Sequence, residues 1–161
     1  LLGALAAGLR HDAAISATRC PGTLVHYRPY KGMERGLTPI PWIAAAPASS
    51  AIVGHVFYYE SRNVWRRKRL PGLRLYTDGQ SPDHRVSMKI LWELRRGTAS
   101  VIRLRGMRIG GPGSFSQRFA SAGPTQFPSI IDVPAPGCWR LNLKAGRAVG
   151  HVDVLVVRGT R

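Results

Sequence analysis

From residue 40 onward this sequence predicts an all-β domain, an antiparallel sandwich or barrel. Three observations carry the expectation. Short apolar runs recur along the chain, Gly- and Pro-rich turns separate them, and many runs alternate apolar and polar residues with the two-residue period of a half-buried strand. The 18 Gly and 12 Pro of the 161 residues fall between the runs rather than in one tract, which is the punctuation of strands and not the composition of a disordered chain. A helical period is confined to the first dozen residues, and no internal repeat is present. One domain accommodates a chain of this length, with a core of ordinary size.

The chain opens on LLGALAAGL, an unbroken run of apolar and small residues without an initiating Met. It reads as the hydrophobic region of a secretory signal, with Ala4-Leu5-Ala6 offering a small-x-small cleavage pattern. Residues 1–19 are therefore expected to be a signal-peptide remnant or a flexible N-terminal extension, and residues 20–161 the folded domain. A short buried helical turn at the domain edge is the alternative. Thr18 and Arg19 exclude a lipoprotein box before Cys20. No window has the apolar length needed to span a bilayer as a helix.

Candidate strands follow at 52–59, 73–77, 86–94, 101–109, 115–120, 129–133, 139–145 and 149–157. Asp78-Gly79, Arg96-Gly97, Gly110-Gly111-Pro112-Gly113 and Ala145-Gly146 supply the turns between them. In 86–94, Val86, Met88, Ile90, Trp92 and Leu94 share one face, while Ser87, Lys89 and Glu93 share the other. In 101–109, Ile102 and Leu104 point to the core, Arg103 and Arg105 away from it. If these two runs form a hairpin, Lys89, Arg95, Arg103 and Arg105 line its outer face. Phe57, Tyr58 and Tyr59 are consecutive, so in a strand at least one faces outward.

Near the end, PGCWRLNLKA places Trp139, Leu141, Leu143 and Ala145 on the core face. Cys138, Arg140, Asn142 and Lys144 fall on the opposite one. Cys138 has one possible mate, Cys20, 118 residues earlier. Two cysteines without a Cys-x-x-Cys or a nearby His do not make a zinc site. A disulfide between them would act as a surface staple for residues 20–40, stabilising by roughly 3–5 kcal/mol, and would imply an oxidising compartment. Two buried free thiols are the alternative.

Charge is the most extreme property: 24 Lys+Arg against 8 Asp+Glu, net +16, with 20 of the 24 being Arg. Such a balance attracts polyanions. The cations are spread along the chain, and only Trp65-Arg66-Arg67-Lys68-Arg69 is compact; Trp65 there either touches an anionic surface or anchors the loop. A dedicated nucleic-acid binder more often concentrates its charge and adds a reading helix or aromatic platform.

Catalytic signatures are not found: no His-Glu-x-x-His, no Gly-x-Ser-x-Gly elbow, no Walker-type loop. Asp78 and Asp83 are candidate oxygen ligands for Ca²⁺, although turn chemistry explains Asp-Gly and Ser-Pro-Asp more simply. No cofactor is expected.

Cys20-Pro21, Pro41-Trp42, the Gly54–Tyr59 run, Met88-Lys89-Ile90-Leu91-Trp92 and Pro136-Gly137-Cys138-Trp139 together resemble a group of uncharacterised bacterial exported proteins. These carry a CP…KxxW…PGCW framework on an immunoglobulin-like β-sandwich. The resemblance covers most of the chain from Cys20 onward, and the PGCW end is its most specific part. It implies that fold and export, and brings no reaction or catalytic residue with it.

The expectation is thus a non-enzymatic binding or structural module, extracellular or in the cell envelope. Its partner would be an anionic envelope polymer, lipid head groups or a protein, with Trp65–Arg69, Lys89, Arg103 and Arg105 as contacts. Specific nucleic-acid recognition is not expected. A nucleic-acid-binding β-barrel using the basic surface is the alternative.

Overall fold

A computed structural model describes residues 20, 22–37, 40–59, 72–77, 79 and 87–159. Residues 1–19, the Trp65–Arg69 cluster, Asp78, Asp83 and Val86 lie outside them. Nine strands are described: β1 (Trp42–Ala44), β2 (Ile52–Val56), β3 (Arg74–Tyr76), β4 (Lys89–Leu94), β5 (Val101–Arg108), β6 (Ser114–Ala120), β7 (Gln126–Ile130), β8 (Gly137–Ala145) and β9 (Ala148–Val157). Among the described residues there is no α-helix, only 3-10 turns at Arg35–Leu37 and Phe57–Tyr59.

The strands form two sheets, β1-β2-β4-β7 and β3-β9-β8-β5-β6. The four-stranded sheet is antiparallel throughout. The five-stranded sheet is mixed, because β3 runs parallel to β9, where the sequence pattern suggested antiparallel pairing. A parallel neighbour needs a long crossover, and the chain between β3 and β9 contains five other strands.

The sheets share one core. Ile43, Ile52, Ile90, Trp92 and Phe127 from the first sheet belong to the same buried cluster as Leu104, Trp139, Leu141, Val152 and Val154 from the second. Each set recurs at every second position of its strand, as the pleat requires. Two glycines make room for aromatic rings within it. A Cβ on Gly54 would sit 2.8 Å from Cζ3 of Trp92, its cross-strand partner. A Cβ on Gly106 would collide with the ring of Phe115, which packs edge-on against Trp139 at 5.4 Å.

Several expectations require correction. β4 and β5 do not form a hairpin; they belong to different sheets, and β5 pairs instead with β6 and β8. Both have one apolar face, so alternation alone could not say which sheet holds each. The run 52–59 is strand only to Val56, after which Phe57–Tyr59 turns and buries both Tyr58 and Tyr59. The strand expected at 129–133 is found at Gln126–Ile130, with Pro128 inside it. β1, lodged between Pro41 and an Ala-rich stretch, was not anticipated.

The Cys20–Cys138 disulfide is formed, with the Cα atoms 5.5 Å apart. Cys138 lies outside the core cluster while its neighbour Trp139 lies within it, as the alternation of the strand implies. Yet Cys138 is buried, not a surface position. Its disulfide partner opens a segment that runs along the molecule's side. Thr23 N–H donates to Asp153 O (2.7 Å), Leu73 N–H donates to Thr23 O (2.8 Å), and His26 exchanges backbone bonds with Trp42. Residues 22–26 thereby stitch β9 and the residue before β3 in one sheet to the β1 edge of the other.

Candidate functional site

The outer face of the five-stranded sheet is set by strand parity and register. β5 turns Arg103 and Arg105 outward, β6 turns Ser116 and Arg118 outward, and β8 turns Arg140, Asn142 and Lys144 outward. Register then decides which of these meet. Arg103 lies opposite Arg118 on one side and Lys144 on the other. Three cations therefore stand in one transverse row, with strands about 4.8 Å apart. Arg105 lies one pleat further along the same strand, opposite Ser116 and Asn142.

Like charges placed directly opposite one another destabilise a sheet. The same face shows the arrangement that avoids this. Arg140 lies opposite Asp153 and donates to it from Nε (2.8 Å) and an Nη (3.0 Å). That carboxylate raises the Arg140 pKa further. Among the described residues, Arg103, Arg105, Arg118 and Lys144 form no such pair. All four are exposed. They line a shallow depression of about 550 Å³ together with Ser116 and Asn142. Adjoining hollows add Arg96 and Arg147, and among the described residues no acid lines these walls.

The predicted contact residues are thus divided. Arg103 and Arg105 are at this site. Lys89 is exposed on the other sheet, its Nζ 5.5 Å from the centroid of Phe57, and Arg95 stacks 5.2 Å from the Tyr30 ring. Arg118 belongs to the site and was not anticipated: its strand was foreseen, but nothing in the sequence tells which strand lies beside β5. Among the described residues no cluster of three or more His, Cys, Asp or Glu could hold a metal ion.

A second polar cluster lies against the outer face of the four-stranded sheet. His55 is fully buried, and its Nε2 donates to Glu93 Oε2 at 2.9 Å. Tyr30 OH donates to the same oxygen at 3.2 Å. Burial, reinforced by the Glu93 charge, pushes the Tyr30 phenol up to about 12. His26 stacks on Trp42 at 4.2 Å, and Tyr30 meets Trp42 edge-on at 4.8 Å. The cluster pairs an acid with an imidazole and is met by Tyr30 from the 26–37 segment. Its physical effect is to hold that segment on the sheet. Compared with known families, characterised proteins and solved structures, the chain matches none.

Proposed function

We propose that this protein is an exported, non-enzymatic binding module of the immunoglobulin-like sandwich type, whose β5–β6–β8 face engages an anionic partner. The observation that carries the reading is the Arg118–Arg103–Lys144 row. A fold that can place Asp153 opposite Arg140 retains two like-charge cross-strand pairs beside it. Their repulsion is relieved when an external anion lies over the row, so binding and relief of strain act together.

Export is supported by the disulfide, which persists in oxidising compartments. No helix among the described residues is long and apolar enough to cross a membrane. Two facing sheets around one core support the immunoglobulin-like part of the reading. One difference is definite: the disulfide joins β8 to a segment preceding the first strand, whereas antibody domains bridge their two sheets.

The test replaces Arg103, Arg105, Arg118 and Lys144 by Ser and measures retention on phosphocellulose. A control of equal charge replaces the exposed Arg28, Lys31, Arg35 and Arg158 instead. The face variant should elute at clearly lower salt than the control. Equal elution of the two would mean that net charge alone attracts the resin and that this face is not a site. If a duplex oligonucleotide of defined sequence is held far more tightly than one of scrambled sequence, the nucleic-acid alternative replaces this reading.

A further inference from the structure

Among the described residues, outward backbone groups are met by this chain on three of the four sheet edges, each by a different device, and on the fourth no backbone partner meets them. On β3, the outward backbone groups are taken by side chains. Tyr58 OH donates to Arg74 O (2.7 Å), Tyr59 OH donates to Gly72 O (2.9 Å) and accepts from Arg74 N–H (2.9 Å), and Tyr76 N–H meets Met88 Sδ at 3.0 Å. On β1, His26 pairs with Trp42. On β7, Gln126 O accepts from Ala122 N–H, and the next outward residue, Pro128, has no N–H to offer.

β6 has none of these. Ser121 N–H donates to Ser100 O, and Arg108 N–H donates to Gly113 O. Odd-numbered residues of β6 therefore bond to β5, and Ser114, Ser116, Arg118 and Ala120 direct their N–H and C=O away from it. Among the described residues no backbone partner meets them. The edge is seven residues long and free of proline. Natural sheets normally protect such an edge from pairing with other chains.

The two sides of this edge differ in chemistry. Outward lies the cationic depression, with Arg118 on the edge strand itself. Inward lie Phe115 and Phe119, packed on the core but only partly buried, and Gln117, whose Oε1 is buried without a donor. A strand laid beside β6 would present alternate residues to these two sides.

We propose that β6 accepts an extended acidic polypeptide segment as a sixth strand, with acidic residues alternating with apolar or hydroxyl-bearing ones. The inference rests on the anionic-partner reading of the same face and narrows the partner to polypeptide. The backbone of the added strand would satisfy the free β6 groups. Its carboxylates would lie over Arg118 and the Arg103 row, and its other side chains would cover Phe115 and Phe119. A second copy of this chain fits poorly as the occupant, since antiparallel β6 pairing brings two Arg118-bearing faces together on chains of net charge +16.

The test uses the full chain and a fluorescein-labelled octapeptide alternating Glu with Val or Thr, read by fluorescence anisotropy. An octapeptide of the same composition N-methylated at alternate residues, and an oligoglutamate of equal charge, serve as comparisons. The protein variants are Ser116→Pro, which removes an outward N–H without breaking a bond to β5, and the four-serine face variant. The alternating peptide should bind at least about tenfold more tightly than its N-methylated form, the loss expected for one or two hydrogen bonds, and Ser116→Pro should weaken it similarly. Equal binding of all three probes, lost only in the face variant, would overturn strand addition and leave the anionic reading intact. Binding unchanged in the face variant would overturn the anionic reading itself. Dimerisation of the free chain that Ser116→Pro abolishes would make a second copy the occupant and overturn the acidic-peptide assignment.

Discussion

Replacing both Cys20 and Cys138 by alanine should lower the stability of this domain by about 5 kcal/mol. The figure follows from the length of the closed loop. With a sequence separation of 118, the chain-entropy relation removes about 16 cal/mol/K from the unfolded ensemble, or about 5 kcal/mol at room temperature. Domains of this size have only about 5–15 kcal/mol to lose, so the variant should melt roughly 10–20 °C lower.

Guanidinium unfolding followed by tryptophan fluorescence reads this directly, because Trp92 and Trp139 are buried in the shared core. Amide exchange adds a local readout. Without the staple, residues 22–26 are held by their hydrogen bonds to β9, β1 and residue 73, by buried Val25 and by the His26–Trp42 stack, and the Thr23 amide should exchange faster than the β8 amides. A loss below about 1 kcal/mol would refute the loop-closure reasoning, since even short loops are worth more. Thr23 protection equal to that of β8 in the variant would show instead that the segment holds itself.

Gly106→Ala should cost about 1–3 kcal/mol, because the new methyl meets the Phe115 ring and that ring is confined by Trp139; Gly123→Ala, facing open space, should be neutral within about 0.5 kcal/mol, and denaturant midpoints compare the two. Glu93→Gln should destabilise by about 1–3 kcal/mol by weakening the acceptor shared by His55 and Tyr30, and should speed proteolysis within residues 26–37 before the sandwich unfolds. Raising the pH above 10 should destabilise the fold. Tyr30 is pushed up to about 12 by burial and Glu93, and burial also raises Tyr58 and Tyr59. Below pH 10 both states keep these protons; above it the unfolded chain releases protons that the fold retains, so stability falls between pH 10 and about 12. Phenolate absorbance should rise together with loss of the β-sheet circular dichroism; ionisation near pH 10 in a folded chain would contradict this.

Much of this fold was legible because period-2 alternation is local information. Ile102, Leu104, Trp139, Leu141 and Leu143 are buried as their spacing implies, and Arg103, Arg105 and Lys144 are exposed. What alternation lacks is the identity of the neighbour. The assignment of β4 and β5 to separate sheets, the parallel placement of β3 and the meeting of Arg103 with Arg118 are all non-local. The shift of the expected 129–133 strand to Gln126–Ile130 is of the same kind. Pro128 is tolerated inside β7 because the strand is an edge and that residue's backbone faces away from its partner, and edge position is not written in the local pattern.

The distribution of acids bears on the anionic partner proposed for the basic face. The sequence has only 8 Asp+Glu, and of the four described, three are engaged within the fold. Glu93 accepts from His55 and Tyr30, Glu34 accepts from Gln126, and Asp153 is held by Arg140. These carboxylates fasten the 26–37 segment and the β8–β9 ladder. None lies opposite Arg103, Arg118 or Lys144. A chain of net charge +16 gains stability from any anion that neutralises its self-repulsion, and gains most where like charges are in register. That place is also the one beside the open β6 edge. A partner bearing carboxylates on an extended backbone meets both deficits at once, whereas small anions or a polyphosphate chain would meet only the first.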